Sequence, residues 1–323
     1  MSQLKIYLYL CAALTLCFNT SLQSQNREIL GEYRIGIVGQ NKDNSIYQAT
    51  HLGALDAALS FSKSQAIDVE IFVLTPDKTI GEDQETSLGR LFIDNADGII
   101  ISPGNQKTTH AAIKFAQEQG QKIVFFETEV ESIDPLASIV ADEYQAGFLA
   151  GKTIADLLPS RARIAILMST EVNPVQQERL RGLRAAVGYK RIETIVTTEP
   201  NYFSAIDAIR NAEDTDRNDL ISGWVFLDDW PLLGMPAFPW KAGERPAVAI
   251  QSSPSAFIHL DQGYLDALII HAYYDWGYKS VELLVEALHN KKQPDPARVV
   301  TDPQVINERN LNNYRLKWQQ WLQ

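Results

Sequence analysis

The sequence is dominated by short, nearly continuous apolar runs that alternate with segments of helical spacing. The first run, residues 33–39, is rich in β-branched residues and ends in glycine, and residues 46–64 follow it with apolar side chains spaced as on one helix face. A strand that is apolar along its whole length must be covered on both faces, as strands of parallel sheets are. The alternation therefore predicts an α/β chain whose helices cover both faces of a parallel sheet.

The same alternation occurs twice, which predicts two domains of similar build. The strands are expected at residues 33–39, 69–74, 98–102, 122–127 and 138–141 in the first half, and at 163–169, 192–197, 223–227, 247–251 and 268–272 in the second, with a last extended stretch at 298–306. The helices are expected at residues 46–64, 85–95, 108–119, 143–158, 175–187, 203–211 and 276–290. Because 323 residues suffice for two cores, we expect two doubly wound parallel-sheet domains.

Residues 1–25 have the order of a secretory signal peptide. Lys5 precedes an apolar run at residues 6–18, and small and polar residues follow it. The run is shorter than the roughly 20 apolar residues that cross a bilayer, and a buried first helix is the alternative. Both cysteines, Cys11 and Cys17, lie in this run, so cleavage near residue 25 leaves a mature chain without cysteine. A lipoprotein acylated at Cys17 is a further alternative, although Leu16 is larger than the residue that usually precedes a lipid-bearing cysteine.

Composition and motifs argue against several classes of function. The formal net charge is −11, whereas nucleic-acid binding usually requires a basic face. The sequence contains no G-x-S-x-G, G-x-G-x-x-G, G-x-x-x-x-G-K-[ST] or H-E-x-x-H motif, and its five histidines are scattered. We therefore expect no enzymatic activity, no metal or other cofactor, and no binding to nucleic acid.

Polar and aromatic side chains follow the predicted strands, where open parallel sheets bind their ligands. In the first half they are Asn44, Tyr47, Glu127, Thr128 and Asp142, and in the second half they are Gln177, Arg179, Phe203, Asp228, Gln251 and His271. Carboxylates and amides suit the vicinal hydroxyls of a sugar, and aromatic rings suit its C–H face. The alternatives are helix capping for Asn44 and Asp142, and core packing for Tyr47 and His271.

Longer segments carry a second pattern. Three of these segments are YRIGIVGQNKDNSIYQATHLGALDAA, SIVADEYQAGFLAGKTIADLLP and RIAILMSTEVNPVQQERLRGLRAAV. Together with GWVFLDDWPLLGM, AVAIQSSP and ALIIHAYYDWGYKSVELLVEALHNKK, in this order, they cover about residues 33–306. In this respect the chain resembles the type I periplasmic sugar-binding proteins, the ribose-binding-protein-like group of ABC-transporter substrate-binding proteins.

The resemblance implies two lobes around a cleft, joined by a three-segment hinge. The first lobe would comprise residues 31–141 and 272–299, and the second would comprise residues 142–271 and 300–323. Ligand contacts would fall on the eleven polar and aromatic residues named above, with Arg179 alternatively holding one of the carboxylates in place. Because Ile46, Glu127, Thr128, Gln251 and His271 depart from the ribose-binding pattern, the resemblance does not name the sugar.

The resemblance also implies a function and a location. The expectation is a monomeric periplasmic protein that captures a small neutral sugar or related polyol and delivers it to an ABC permease in the membrane. A sugar sensor of a chemotaxis or two-component system and a nucleoside or autoinducer binder are the alternatives. The effector domain of a transcription regulator conflicts with the leader and the acidic charge, and a secreted carbohydrate-active enzyme conflicts with the lack of an opposed carboxylate pair.

The last 17 residues carry an aromatic pattern. Tyr314, Trp318 and Trp321 are spaced four and three residues apart, which places them on one face of a helix. We expect this face to pack onto the second lobe, and a docking face for a partner is the alternative.

Overall fold

The computed structural model describes residues 28–104, 106–170, 174–251 and 253–322. Its strands are β1 (Glu32–Val38), β2 (Asp68–Val73), β3 (Gly98–Ile101), β4 (Lys122–Glu127), β5 (Ala137–Ala141), β6 (Arg163–Ser169), β7 (Ile192–Thr198), β8 (Ile221–Phe226), β9 (Ala247–Ile250), β10 (Ala267–Ile270), β11 (Arg298–Thr301) and β12 (Gln304–Asn307). Its α-helices are α1 (Ser45–Gln65), α2 (Gln84–Ile93), α3 (Gln106–Glu118), α4 (Glu143–Leu157), α5 (Pro174–Val187), α6 (Tyr202–Thr215), α7 (Phe257–Asp261), α8 (Tyr273–Leu288) and α9 (Leu311–Trp321). The expected signal peptide, with Cys11 and Cys17, lies outside the described residues.

The strands form two six-stranded sheets of matching topology. The first sheet has the order β11-β5-β4-β3-β1-β2 and the second has the order β12-β10-β9-β8-β6-β7. All neighbouring strands are parallel except β10 and β12, which are antiparallel. The predicted α/β fold with two doubly wound sheets is confirmed, and each sheet has one strand more than the five expected. We call the halves built on these sheets the first and the second domain.

The extended stretch expected at residues 298–306 is two strands that belong to different sheets. β11 runs parallel to β5 as far as the pair Thr301 and Ala141, whereas β12 runs antiparallel to β10. Asp302 and Pro303 connect them, and a proline lacks the N–H that would continue a ladder. The chain therefore crosses between the sheets at residues 302–303. The end of the first lobe, expected after Val299, lies two residues before the last residue of β11, Thr301.

The chain passes between the two domains three times. It leaves the first sheet after Ala141, returns to it after Ile270, and leaves it again after Thr301. Accordingly, α8 packs on β3, β4 and β5 of the first sheet, whereas α4 packs on β8, β9 and β10 of the second. Each domain is therefore assembled from separate stretches of sequence.

In each domain, two helices approach so closely that only glycine fits between them. In the second domain, a Cβ atom at Gly147 of α4 would lie 1.8 Å from the carbonyl oxygen of Arg179 in α5. In the first domain, a Cβ atom at Gly277 of α8 would lie 1.8 Å from the carbonyl oxygen of Thr50 in α1. The crossing in the second domain places the start of α4 directly beside α5.

The terminal helix α9 packs on both domains, whereas the sequence predicts packing on the second domain alone. Tyr314 is buried against Phe257 of the second domain, with ring centroids 5.7 Å apart. Trp318 is buried against Tyr273, at the start of α8, with centroids 6.1 Å apart. The apolar face of α9 therefore covers the place where the chain returns to the first domain.

Candidate functional site

Glu127 is the centre of a hydrogen-bonded group at the carboxyl end of the first sheet. It ends β4, and its Oε2 accepts hydrogen bonds from the Tyr47 hydroxyl at 2.9 Å and from Ser102 Oγ at 2.7 Å. Ser102 in turn accepts a bond from Gln40 Nε2 at 3.0 Å. Burial raises the pKa of Glu127 above its usual range, although the bonds from Ser102 and Tyr47 oppose the rise.

Tyr47 faces this group with its hydroxyl and the core with its ring. The residue is 3% exposed, and its ring packs edge-on to Phe126 at 6.1 Å between centroids. The core packing considered for Tyr47 therefore coexists with a hydroxyl held by Glu127. The ring is not an open stacking surface in this arrangement.

Three of the predicted site residues form hydrogen bonds with backbone groups. They are Thr128, Asn44 and Asp142. Thr128 Oγ1 donates to the carbonyl oxygen of Pro103 at 3.0 Å. Asn44 caps α1 by accepting a hydrogen bond from the Ile46 N–H at 3.0 Å, and Asp142 caps α4 through the Gln145 N–H at 2.8 Å. Both capping roles that the sequence suggests are present.

Arg179 is the centre of the corresponding group in the second domain. Its Nε donates to Glu143 Oε2 at 2.6 Å, and its Nη2 donates to Glu143 Oε1 at 3.2 Å. Nη1 donates to the carbonyl oxygen of Leu227 at 2.8 Å, and Nη2 donates to Gln251 Oε1 at 3.3 Å. The Asp228 carboxylate lies 3.6 Å from Nη1. The guanidinium is therefore enclosed by protein acceptors, as the alternative role for Arg179 requires.

Glu143, the main partner of Arg179, is a residue that the sequence reasoning missed. Burial opposes its ionisation, but Arg179 and then His271 outweigh burial and lower the pKa of Glu143. The residue follows the capping Asp142, and it meets Arg179 only because α4 and α5 cross so closely. Its adjacency to a predicted cap is a weak signal, and no spacing in the sequence reveals the pair.

His271 lies beside this ion pair. It is 4% exposed, and its Nε2 lies 3.5 Å from Glu143 Oε2 and 3.4 Å from Arg179 Nη2. Its ring stacks on Trp276, with centroids 6.0 Å apart. Burial lowers the pKa of His271 to about 4, so the imidazole is neutral at pH 7.

Asp228 and Asp229 complete the second group. Asp228 accepts a hydrogen bond from the backbone N–H of Asp229 at 3.0 Å and from Gln176 Nε2 at 3.3 Å. Burial raises the pKa of both carboxyls, and their proximity raises the pKa of Asp229 further.

Gln177 and Phe203 do not join either group in this structure. Gln177 is exposed, whereas its neighbour Gln176 is 0% exposed and also accepts a hydrogen bond from the Ser169 N–H at 2.8 Å. The spacing of Gln176 from Arg179 places both on the buried face of α5, a signal that the sequence reasoning overlooked. Phe203 is 78% exposed and contacts the ring of Tyr202.

The two groups lie close enough to influence each other. Among the causes that set the pKa of Glu127 in the first domain are the charges of Glu143, which raises it, and of Arg179, which lowers it. Glu127, at the carboxyl end of the first sheet, therefore lies near the ion pair of Glu143 and Arg179 in the second domain.

The described part of the chain contains neither a metal site nor a membrane span. No three histidine, cysteine, aspartate or glutamate residues within it are grouped so that they could hold a metal ion. Within the same residues, no helix combines the length and the apolar character needed to cross a bilayer.

Comparison with known proteins agrees with this architecture. Among similar solved structures are a periplasmic ribose ABC transporter from Conexibacter woesei (18% identity, 90% of this chain and 96% of that chain covered, TM-score 0.75) and a solute-binding protein from Burkholderia graminis in complex with D-arabinose (17%, 87% and 97%, TM-score 0.71). A Caulobacter myo-inositol binding protein is also similar (16% identity, 87% and 95% covered, TM-score 0.68).

Comparison with curated proteins gave no match. The family model described as the periplasmic binding protein domain matches residues 35–292. This range is most of the chain and includes every predicted site residue. The protein therefore belongs to the periplasmic binding protein domain family.

Proposed function

We propose that this protein is an exported substrate-binding protein that captures a small neutral sugar or polyol between its domains and delivers it to an ABC permease. The observation that carries the proposal is the pair of neighbouring polar groups, centred on Glu127 of the first domain and Arg179 of the second. Hydroxyl groups of a bound polyol would satisfy carboxylates and amides of both groups at once.

The distribution of charge in the cleft favours an uncharged ligand. Arg179 is already engaged by Glu143, Gln251 and Asp228, so its charge is not available to an anion. His271 is neutral at pH 7 because its pKa is lowered to about 4 by burial. The hydrogen bonds that Glu127 accepts both end on Oε2, and its Oε1 is suited to a ligand hydroxyl. An acidic sugar would meet an excess of carboxylates.

The three connections between the domains suit a hinge. Movement about residues 142, 271–272 and 302–303 would bring the two polar groups together or apart. A ligand that contacts both groups only in the closed form would shift the population toward closure. In this proposal the permease recognises the closed form, and the protein acts as a monomer in the periplasm.

The similar solved structures support the ligand class. One is named as a ribose ABC transporter, and the other two contain bound D-arabinose and myo-inositol. These ligands are uncharged and rich in hydroxyl groups. The family match supports a binding role.

Isothermal titration calorimetry of the mature protein tests the proposal. The panel contains pentoses, hexoses, deoxysugars, inositols and nucleosides, so that the nucleoside alternative is tested in the same series. We expect binding to at least one neutral polyol, weakened about tenfold or more in Glu127→Gln and in Asp228→Asn, because each loses a charged acceptor.

Two exposed carboxylates provide matched controls. Glu70→Gln and Asp207→Asn change side chains that are 58% and 73% exposed, and they should leave the affinity unchanged. Absence of binding to every member of the panel, or equal losses in site and control variants, would contradict the proposal.

A further inference from the structure

We propose that Glu143 is a specificity-determining residue: it occupies Arg179 and so restricts the cleft to uncharged ligands. This inference rests on the proposed function, because it concerns the charge of the ligand that the same cleft accepts. The proposed function attributes the preference for uncharged ligands to the charges of the cleft together, whereas this inference attributes it to Glu143.

The first step of the argument is the geometry of the ion pair. Glu143 meets Arg179 through Nε at 2.6 Å and Nη2 at 3.2 Å, with one carboxylate oxygen on each nitrogen. This two-point arrangement along one edge of the guanidinium is the way in which arginine usually recognises the carboxylate of a ligand. Glu143 thus stands where an acidic ligand would bind.

The second step is that Arg179 has no unused edge in the described structure. Nη1 donates to the carbonyl oxygen of Leu227 at 2.8 Å and lies 3.6 Å from Asp228. Nη2 also donates to Gln251 Oε1 at 3.3 Å. A ligand anion could gain a two-point contact with Arg179 only by displacing Glu143.

The third step places the pair near the first domain and not in a remote core of the second. The charges of Glu143 and Arg179 both act on Glu127 of the opposite domain. Glu143 keeps a side chain that is 16% exposed, compared with 3% for Arg179. Glu143 is therefore the more accessible partner of this ion pair.

Removal of the Glu143 carboxylate should convert this place into an anion site. In Glu143→Ala, the Nε and Nη2 edge of Arg179 would lose its carboxylate, and Asp228, 3.6 Å from Nη1, would remain as its carboxylate partner. A buried arginine that loses its closest ion-pair partner is unfavourable. A small carboxylate such as formate matches the vacated group in charge and shape. His271, 3.5 Å from Glu143, is neutral and would not repel it.

Thermal unfolding in the absence of any sugar provides the first test. Sodium formate and sodium chloride at equal ionic strength are compared on the wild type, Glu143→Ala and Glu178→Ala. Glu178 is the matched control because it forms an exposed Glu–Arg pair with Arg181 on the same helix as Arg179. We expect formate to raise the Tm of Glu143→Ala by about 2 °C or more over chloride, and to leave the other two proteins unchanged.

The second test uses ligands and the isosteric variant Glu143→Gln, which keeps the volume of the side chain. Glucose and galactose are compared with glucuronate and galacturonate by calorimetry. The ratio of uronate to neutral-sugar affinity should rise more than about tenfold over the wild type in this variant.

The results separate this inference from the proposed function. If no neutral sugar binds the wild type but formate stabilises Glu143→Ala alone, the role of Glu143 stands and the proposed ligand class falls. If the wild type responds to formate as strongly as Glu143→Ala does, or if neither Glu143 variant gains any preference for anions, the inference is overturned. Should Glu143→Ala fail to fold, the uronate ratio of Glu143→Gln decides.

Discussion

His271 and Arg179 are neighbours in the second domain, yet only the arginine carries a charge at neutral pH. Burial lowers the pKa of the imidazole to about 4, whereas two carboxylates keep the guanidinium ionised in spite of burial. Glu127 in the first domain illustrates a third outcome, because burial raises its pKa while two hydroxyl donors stabilise its ionised form. The charge of each buried group is thus set by its neighbours as much as by its residue type.

The hydroxyl of Tyr47 should stabilise the folded protein through Glu127. Tyr47→Phe removes one of the two hydrogen bonds on Oε2 and should lower the free energy of unfolding by about 1–3 kcal/mol. Urea unfolding measures this loss. Tyr189→Phe, at a side chain that is 73% exposed, is the control, and equal effects of the two substitutions would contradict the role assigned to Tyr47.

His51 allows a prediction about pH that is independent of the cleft. Burial lowers its pKa to about 4, from an ordinary value near 6.5. As the pH falls from 6.5 to 4, the unfolded chain takes up a proton that the folded protein does not bind, so stability is lost. Between pH 7 and pH 5, the wild type should lose about 2 kcal/mol more than His51→Gln, as measured by urea unfolding. Parallel losses in the two proteins would show that His51 is not held neutral.

At the level of helices and strands, most of the fold could be predicted from the sequence because apolar periodicity is a local property. β4 and β6 begin and end where expected, and other elements differ by a few residues. The split at residues 302–303 was missed, although Pro303 is its signal. The contact between Glu143 and Arg179 could not be found in this way, because it depends on how closely α4 and α5 cross.

That crossing should not tolerate even one added methyl group. Gly147→Ala would place a Cβ atom 1.8 Å from the carbonyl oxygen of Arg179. The resulting strain should exceed the gain in helix propensity and lower the free energy of unfolding by about 1–3 kcal/mol. Chemical denaturation measures the change.

Gly89 in α2 is the matched control for this substitution. A Cβ atom there would meet nothing within 4 Å, so Gly89→Ala should raise stability by about 0.5–1 kcal/mol. If both alanine variants were stabilised, the close helix crossing would be wrong.

At the scale of the whole molecule, the two domains have the same strand order but are not separable by one cut in the chain. The chain passes between them three times, and α9 then packs across the return to the first domain. Aromatic rings connect Phe126, the neighbour of Glu127 in β4, through Trp276, Tyr273 and Trp318 to Tyr314, with successive centroids between 5.3 and 6.3 Å apart. The terminal helix is therefore part of the packing that joins the domains.

Loss of this packing should be severe. Trp318 is 1% exposed, and Trp318→Ala should lower the free energy of unfolding by about 3–5 kcal/mol. Leu316→Ala, on the opposite face of α9 at a side chain that is 57% exposed, should change it by less than about 0.5 kcal/mol. Similar small effects of both substitutions in a denaturation series would show that α9 is not an integral part of the fold.

The central claim is that a neutral polyol binds between the domains, in contact with both polar groups. The most direct test is a crystal structure of the protein with the tightest ligand from the calorimetric panel. We expect density for the ligand in the cleft, with hydroxyl groups within hydrogen-bond distance of Glu127 from one domain and of Asp228 from the other, and with Glu143 still paired with Arg179. A ligand bound outside the cleft, or held by one domain alone, would contradict the account.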